Sequence, residues 1–284
     1  MAANKQFVVI VTGANKGIGL ECVRVLAARV NSSYLFKKVG AESSVIYLAS
    51  RDEERGKAAL KEITAAEGVD VRLGVLDVSS TDSISKFAAF IKGKHETVHA
   101  LINNAGVADG AGGRGSNFDS KTVEWVFKVN YDGVHATTDA FLPLMHEYGR
   151  IVNISSGLTR LAAPALKEKL LKVSSVSEAD SITTEFRNAV KEGTAEKLGY
   201  PTLAYPCSKI LLNALTIGFA ADNKATHPHL LFKYVNPGWV KTDMGGSAAP
   251  GTVQQGADTP CWAAVDDISG TSGSGLATRS QIEW

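Results

Sequence analysis

Tyr205 and Lys209 are the residues whose types and spacing point most directly to chemistry. They stand four positions apart at the start of an apolar segment, 204–222, that is predicted to be helical, so both side chains lie on one helical face. A tyrosine hydroxyl can give up a proton, but its reference pKa is about 10. A neighbouring ammonium group that brought this pKa near 7 would supply roughly 4 kcal/mol of phenolate stabilisation. The pair therefore predicts a proton donor, although exposed helical surfaces carry pairs with the same spacing.

Two further polar residues lie where the predicted secondary structure makes them unusual. Ser156 follows the buried strand 149–154, where its hydroxyl could hydrogen-bond a carbonyl oxygen and polarise it. Asn130 falls in the middle of a helix predicted over 118–145, although asparagine is a poor helix former. Hydride addition to a carbonyl carbon leaves an alkoxide that needs a proton, so a tyrosine that donates a proton and a serine that polarises the carbonyl would suit such a reaction.

A strand, a glycine-rich turn and a helix open the chain and predict a nucleotide site. The run 7–11 is apolar and β-branched, as in a strand buried on both faces, and 12–19 reads TGANKGIG before a helical pattern that continues to residue 30. In such a turn, backbone amides and the helix N-terminus can bind a pyrophosphate. The glycine spacing is G-x-x-x-G-x-G rather than G-x-G-x-x-G, so an ordinary tight turn is the alternative.

The rest of the chain alternates predicted strands and helices. Further strands are expected at 45–49, 71–76, 98–102, 149–154 and 230–235. Helices are expected over 53–67, 80–94, 118–145, 204–222 and 252–266, with a polar loop at 31–43 and an edge strand in the tail 272–284. This alternation predicts an α/β fold of the Rossmann type, a doubly wound parallel sheet with helices on both faces. In such sheets, ligands bind at the carboxyl ends of the strands.

The end of the second strand predicts which dinucleotide would bind. Sites that prefer NAD place a carboxylate there for the ribose 2′-hydroxyl, but this chain has Ser50 followed by Arg51. Lys16 adds a second cation in the glycine turn. A 2′-phosphate needs such donors and would be repelled by a carboxylate, so we expect NADPH. The alternative is a solvated arginine beside Asp52 and Glu53.

Composition bounds the remaining possibilities. The 284 residues carry a net charge of +1 and 44% hydrophobic residues, which fits a folded domain and gives no reason to expect nucleic acid or an anionic membrane as partner. Three cysteines, Cys22, Cys207 and Cys261, have no metal-ligand spacing, and we expect free thiols and no metal site. The first strand begins close to Met1 and no apolar run could span a bilayer, so we expect a cytoplasmic protein.

These motifs resemble those of the short-chain dehydrogenase/reductase family, and within it the NADPH-dependent carbonyl reductases. The resemblance runs from Val8 to Trp284. It rests on the segments 12–20 (TGANKGIGL), 50–52 (SRD), 103–106 (NNAG) and 237–244 (PGWVKTDM), on the ending Glu283-Trp284, and on the order of the four polar residues described above.

The resemblance implies a role for each matching residue. Asn130, Ser156, Tyr205 and Lys209 would form the catalytic set, in which Lys209 also holds the nicotinamide ribose and Asn130 fixes a water in the proton relay. Residues implied to bind the cofactor are Gly13, Asn15, Lys16, Gly17, Ile18, Gly19, Arg51, Asp77, Val78, Asn104, Ala105, Gly106, Tyr205, Lys209, Pro237, Gly238, Val240 and Thr242.

For Asp77, Ser156 and Tyr205 the resemblance implies a more specific contact, and for Asp77 and Trp239 an alternative stays open. Asp77 would face the adenine amino group, but Asp77, Ser79 or Ser80 could instead cap the next helix. Ser156 and Tyr205 would also contact the substrate. Trp239 is either a wall of the substrate pocket or a simple packing residue.

The segment between Ser156 and Tyr205 is longer than in most family members, at 205 − 156 = 49 positions. We expect a helical insertion at about 161–203 within a single domain spanning 1–284, with a capping box at 177–180. In carbonyl reductases a similar insertion covers the helix that other members use to dimerise, so residues 164–198 would shield 204–222 and leave a monomer. The long loop 31–43 would lie near the adenosine end, with an effect that the sequence does not predict, and the glycine-rich loop 109–116 would border the substrate mouth.

The implied function is NADPH-dependent reduction of a ketone, aldehyde or quinone to the alcohol, with Tyr205 as the proton donor and a small molecule as the partner. Two alternatives stay open. One is an NADP-dependent alcohol or hydroxysteroid dehydrogenase working toward oxidation. The other is a non-catalytic sensor that binds NADPH, which would not need the proton donor.

Overall fold

The computed structural model describes residues 5–115, 118–268 and 270–284, and its centre is one eight-stranded sheet in the order β3-β2-β1-β4-β5-β6-β7-β8. All neighbouring strands are parallel except the last pair, which is antiparallel. The strands are β1 Gln6–Thr12, β2 Ser43–Ser50, β3 Val69–Val75, β4 Val98–Asn103, β5 Met145–Ile154, β6 Leu231–Val235, β7 Ser274–Ala277 and β8 Ser280–Ile282. The order reverses at β1, which is where open sheets of this type bind ligands.

Helices cover both faces of the sheet. They are α1 Gly17–Arg29, α2 Tyr34–Lys38, α3 Glu53–Leu60, α4 Thr81–Lys94, α5 Ser120–Asn130, α6 Asp132–Phe141, α7 Pro164–Leu171, α8 Val176–Lys191, α9 Ala204–Asp222 and α10 Val253–Val265. Alternate residues of β1 point into two separate cores, Val9 toward α1 and α10 and Ile10 toward α4, α5 and α9. The predicted doubly wound α/β fold is therefore confirmed.

The single long helix predicted over 118–145 is wrong. It is two helices, α5 and α6, separated at Tyr131, whose backbone has φ −118° and ψ −66°. Gly133, in the first turn of the second helix, lies so close to the carbonyl of Val78 that an added Cβ would be 2.7 Å from its oxygen. A 3-10 turn containing Pro143 ends the second helix, and β5 starts at Met145 rather than at 149.

Three other local predictions also need correction. The expected polar loop 31–43 contains the short helix α2, because the hydroxyl of Ser33 accepts a hydrogen bond from the Phe36 amide and Phe36 packs into the core. The helix expected over 53–67 ends at Leu60. The expected capping box at 177–180 is displaced: Ser175 caps α8, and the Glu178 carboxylate accepts bonds from Ser174 instead.

The segment between β5 and α9 is helical and packs along α9. Ser175 approaches that helix closely, since a Cβ on Gly218 would lie 2.6 Å from the Ser175 carbonyl oxygen. Phe186 of α8 is fully buried against Phe127 of α5, with ring centroids 5.2 Å apart. Nearly every side chain of α9 is buried, so this helix lies in the interior between the sheet and the segment 164–198.

Charged groups also hold α8 against α6. Arg187 donates two hydrogen bonds to the Asp132 carboxylate, at 2.9 and 2.8 Å. His135 lies 3.1 Å from Asp139 and 3.4 Å from Asp180, and hydrogen bonds to these two carboxylates raise its pKa to about 10. The imidazole is therefore charged at neutral pH and bridges the two helices. Within the described residues, none of the helices combines the length and the apolar character that a bilayer crossing requires.

Candidate active site

A cavity of about 810 Å³ opens at the carboxyl ends of the central strands. It brings together most of the residues predicted to bind cofactor or substrate. Those that line it are Gly13, Asn15, Lys16, Gly17, Ile18, Arg51, Asp77, Val78, Asn104, Ala105, Gly106, Ser156, Tyr205, Lys209, Pro237, Gly238, Trp239, Val240 and Thr242. Two predicted residues lie behind its wall: Gly19, which packs against Asn104, and Asn130, which is fully buried.

The glycine turn after β1 is held by close contact with the segment that follows β4. Gly13 has φ +62°, and an added Cβ would lie 2.8 Å from the Cα of Ala105, so only glycine fits there. The Asn104 side chain donates to the carbonyls of Thr12 and Gly13, at 2.9 and 3.1 Å. The Thr12 hydroxyl accepts from the amides of Asn104 and Ala105, both at 3.0 Å. The turn is thus a rigid rim of the cavity, beside the N-terminus of α1.

Asn103 fixes the sheet beneath this rim. Its side-chain amide donates to Asn153 of β5 at 2.9 Å and to Thr138 of α6 at 3.2 Å. Asn153 in turn donates to Thr216 of α9 at 2.9 Å. This buried network ties β4, β5 and α9 together, and therefore sets the position of α9 relative to the glycine turn.

Arg51 is exposed at the cavity and has no carboxylate partner among the described residues. The two acidic residues that could have neutralised it are engaged elsewhere: Asp52 pairs with Arg55 at 3.3 Å and Glu53 pairs with Lys57 at 2.9 Å. Lys16 instead forms an ion pair with Asp243 at 2.6 Å across the mouth of the cavity. Arg51 is therefore the cation that is available for an anionic ligand at this end.

Asp77 does not cap the helix that follows it. Ser80 does so, accepting from the Ser83 amide at 3.3 Å, while Asp77 accepts from the amide and hydroxyl of Ser79 at 2.9 and 2.7 Å. Burial raises the pKa of the Asp77 carboxyl, but these hydrogen bonds and the charge of Arg51 outweigh it and leave the pKa below its usual value. A carboxylate therefore lines the cavity beside Arg51.

The catalytic candidates converge at the other end of the cavity. The Lys209 ammonium donates to the Ile154 carbonyl at 2.7 Å and lies 5.7 Å from the centroid of the Tyr205 ring. The Ser156 hydroxyl, at the end of β5, accepts from the Leu158 amide at 3.1 Å. Gly106 lies next to both Lys209 and Asn130. A Cβ added to it would be 3.7 Å from the Lys209 Nζ and 3.4 Å from the Asn130 Oδ1.

Asn130 ends α5 rather than standing in its middle, so that part of the prediction is wrong. Its side-chain oxygen accepts from the Val107 amide at 2.8 Å, and its nitrogen donates to the Val107 carbonyl at 2.9 Å and to Ser208 at 3.0 Å. Ser208 donates to the Tyr205 carbonyl at 2.7 Å. The Asn130 side chain therefore connects the segment that follows β4 with the beginning of α9.

The structure does not show the expected lowering of the Tyr205 pKa by Lys209. Burial raises the pKa of Tyr205 to about 12, although hydrogen bonding with Ser156 opposes the shift. Burial also lowers the pKa of Lys209 to about 7, because its hydrogen-bond partner among the described residues is a neutral carbonyl. In this environment each group favours its neutral form, so Tyr205 keeps its proton at neutral pH.

Trp239 forms part of the cavity wall. Its side chain is 50% exposed, and its indole nitrogen donates to the Gly245 carbonyl at 2.8 Å. The glycine-rich loop crosses opposite, where the Gly112 amide donates to the Met244 carbonyl at 2.8 Å. Gly113 lies against the ring of Tyr205, since an added Cβ would be 2.3 Å from it. The last residue of the predicted loop 109–116, Ser116, lies outside the described residues.

The family model described as short chain dehydrogenase matches residues 7–167 of this chain. The chain belongs to the short-chain dehydrogenase family. Carbonyl reductase 3 (NADPH) of Rattus norvegicus is 31% identical, with 97% of this chain and 96% of that protein covered. Carbonyl reductase 1 (NADPH) of Homo sapiens is 30% identical, with 98% of each chain covered.

Solved structures agree with this family. Salutaridine reductase from Papaver somniferum superposes with a TM-score of 0.75 at 25% identity, covering 95% of this chain and 99% of that one. A carbonyl reductase from chicken fatty liver, solved with NADPH bound, shares the fold with a TM-score of 0.66 at 22% identity, covering 99% and 100%. The predicted resemblance to short-chain dehydrogenases similar to carbonyl reductases is confirmed.

Sequence reasoning missed several residues that line the cavity of this short-chain dehydrogenase. Arg160 follows Ser156 by four positions, and Arg114 is the single cation of the glycine-rich loop. The positions of these two arginines, close to Ser156 and within the glycine-rich loop, could have pointed to the cavity, but neither residue belongs to a motif. The remaining missed residues are Leu76, Val107, Gly112, Val129, Ile154, Ser155, Gly157, Leu158, Asn236, Lys241, Asp243, Met244, Gly245 and Val253.

Proposed function

We propose that this short-chain dehydrogenase is an NADPH-dependent carbonyl reductase that converts a ketone, aldehyde or quinone to the alcohol. One observation carries the proposal: a single cavity contains both Arg51, the available cation beside the glycine turn, and the cluster of Ser156, Tyr205 and Lys209. The relatives that share about 30% of the sequence are carbonyl reductases whose names include NADPH. The cavity of about 810 Å³ is also large enough for an extended ligand.

The residues present suit NADPH. Backbone amides of the glycine turn and of the first turn of α1 would bind the pyrophosphate, and Asp77, which lines the same cavity, would face the adenine amino group. Arg51 would bind the 2′-phosphate, and the 237–242 segment would line the nicotinamide end. When bound, NADPH supplies the hydride that adds to the carbonyl carbon.

The side chains of this chain account for the rest of the reaction. Ser156 would hydrogen-bond the carbonyl oxygen and polarise it, and would stabilise negative charge as it develops there. Tyr205 keeps its proton at neutral pH because burial raises its pKa to about 12, so it is in the correct state to protonate the forming alkoxide. Lys209 beside it would hold the ribose and stabilise the phenolate that remains. Asn130 would position a water through which a proton returns to the Tyr205 phenolate.

The test is the consumption of NADPH and NADH by the purified protein with aromatic aldehydes, quinones and aliphatic ketones. We expect turnover with NADPH on members of this panel. Efficient oxidation of alcohols or hydroxysteroids with NADP, and no reduction, would favour the dehydrogenase alternative. Tight NADPH binding without turnover of any carbonyl or alcohol would favour the sensor and contradict the proposed reaction.

Replacing Arg51 by Glu is expected to raise the KM for NADPH by about 10- to 100-fold. Loss of a charge-assisted hydrogen bond to the 2′-phosphate costs roughly 1.5–3 kcal/mol. The KM for NADH should not rise, because NADH lacks this phosphate. Arg55→Glu is the matched control, since Arg55 is close in sequence and paired with Asp52 but does not line the cavity. Equal losses with both cofactors would contradict the role of Arg51.

We also propose that the chain is a single domain that works as a monomer in the cytoplasm. The burial of α9 beneath 164–198 supports the monomer, because the α9 face is already covered. The three free, buried thiols support a reducing compartment. Analytical ultracentrifugation at low micromolar concentration should give a mass near 30.0 kDa. A stable species of twice that mass would show that another surface mediates dimerisation.

A further inference from the structure

The charge of the candidate active site is strongly one-sided. Its walls contain six basic side chains and two carboxylates, whereas the whole chain is nearly balanced, with 30 basic and 29 acidic residues. Five of the basic side chains are cationic, namely Lys16, Arg51, Arg114, Arg160 and Lys241, whereas the buried Lys209 favours its neutral form; the carboxylates are Asp77 and Asp243. Asp243 is paired with Lys16, and Asp77 lies at the proposed adenine end. Among the described residues, the substrate end of the cavity is therefore lined by cations without a carboxylate.

The pairing of the arginines shows that this surplus is not a general property of the surface. Of the ten arginines in the sequence, six form ion pairs with carboxylates in the structure. Arg150 is buried and donates to the carbonyls of Tyr148 and Gly149. The three that remain, Arg51, Arg114 and Arg160, all line the same cavity. Arg51 is accounted for by the proposed 2′-phosphate, which leaves Arg114 and Arg160 without a ligand.

These two arginines are next to the groups that would frame the reacting carbonyl. Arg160 belongs to the 3-10 turn Gly157–Leu161, which Ser156 caps, and its guanidinium donates only to the Gly157 carbonyl among the described residues, at 3.3 Å. Arg114 directly follows Gly113, which lies against the ring of Tyr205. Both side chains are exposed, so a ligand can reach them.

We propose that the substrate is a carbonyl compound that also bears a carboxylate, and that Arg114 and Arg160 bind this carboxylate. The inference rests on the proposed carbonyl reduction and specifies its substrate class. A guanidinium presents a planar pair of donors that matches a carboxylate, and it stays charged at all physiological pH values. A cavity lined by one sign of charge also concentrates ligands of the opposite sign and speeds their association.

The test compares 3- and 4-formylbenzoate with their uncharged methyl esters. Both the dissociation constant, measured by calorimetry on the NADP-saturated protein, and kcat/KM with NADPH are determined. We expect the better carboxylate of the two to be favoured over its ester by about tenfold in both quantities at low ionic strength. This preference should shrink at an ionic strength of about 1 M, where the Debye length is about 3 Å.

Variants identify the residues responsible. The Arg114→Gln/Arg160→Gln double variant is expected to reduce the carboxylate-to-ester ratio to about one, with each single variant in between. Lys92→Gln removes an exposed cation of α4 that does not line the cavity, and should leave the ratio at its original value. The KM for NADPH should rise in Arg51→Glu but not in the double variant. An equal rise in the double variant would assign Arg114 and Arg160 to the cofactor and overturn the proposal.

The binding measurement separates this inference from the proposed function. A carboxylate preference in binding that depends on both arginines, without turnover, would support the anion site and contradict the reductase. Turnover of the esters and carboxylates with equal efficiency would support the reductase and overturn the anion site. Persistence of the full preference in the double variant would also overturn the assignment of Arg114 and Arg160.

Discussion

Replacing Tyr205 by Phe is expected to lower kcat/KM for carbonyl reduction by about 10³-fold or more. The substitution removes one hydroxyl and leaves the ring, which packs against Gly113, in place. General acid catalysis by a positioned side chain contributes roughly 10²- to 10⁴-fold. The other titratable donor of this cluster, Lys209, donates to the Ile154 carbonyl instead. The dissociation constant for NADPH, measured by fluorescence, should change by less than about threefold, because most of the proposed cofactor contacts come from other elements.

Tyr200→Phe is the matched control for this experiment. Tyr200 is also buried, and its ring packs on Phe186 with centroids 4.5 Å apart, but it does not line the cavity. Removal of its hydroxyl should leave turnover unchanged. If Tyr205→Phe retained a tenth or more of the wild-type activity, the proton would have to come from another group, and the assignment of Tyr205 as donor would be wrong.

The elements that sequence predicted best are those whose local pattern agrees with their final packing. The helix 204–222 was predicted with the bounds that α9 has, because its apolar run is covered on all sides in the fold. The strand ends that carry Arg51 and Asp77 were also correctly placed at the cavity. Nothing in the sequence pairs the glycine turn with the NNAG segment, and only the structure shows the contact between Gly13 and Ala105.

The errors arise where distant contacts override local preference. The helix over 118–145 breaks at Tyr131, and the side chain of Asn130, the last residue of α5, bonds the backbone of Val107, which is 23 residues away in the sequence. The pKa of Tyr205 could not be predicted from its spacing to Lys209, because burial is a property of the folded molecule. Here burial raises the pKa of Tyr205 and lowers that of Lys209, so that each group favours its neutral form. Arg114 and Arg160 were missed for the same reason, since only the fold brings their loops to one cavity.

Replacing Lys209 by Met is expected to abolish most of the activity while stabilising the protein at neutral and mildly acidic pH. Activity should fall by about 10²-fold or more, because the cation beside the phenolate and the proposed ribose contact are both lost. The free energy of unfolding, by contrast, should rise in the Met variant. Burial lowers the pKa of Lys209 to about 7 from 10.5, so the folded state resists protonation of this group more than the unfolded chain does.

The pH dependence of this stabilisation follows from the sign of the shift. Between about pH 7 and 10.5 the unfolded chain holds a proton on Lys209 that the folded protein does not, so the contribution of Lys209 makes the wild type more stable as pH rises. Below pH 7 both states are protonated and the full penalty remains, up to about 5 kcal/mol at 1.36 kcal/mol per pKa unit. Loss of the hydrogen bond to Ile154 offsets part of the gain in the Met variant, by roughly 1–3 kcal/mol.

Urea unfolding of wild type and Lys209→Met without added cofactor, at a series of pH values from 6 to 10, measures this difference. The advantage of the Met variant should be largest near pH 6 and should shrink steadily toward pH 10. Lys233→Met is the matched control for the activity measurement. Lys233 is also buried, with its pKa lowered to about 8, but it bonds Thr271 and Ser274 and does not line the cavity, so its loss should leave turnover intact. If the advantage of Lys209→Met did not vary with pH, the protonation of Lys209 would have to be the same in the folded and unfolded states, which would contradict the effect of burial on its pKa.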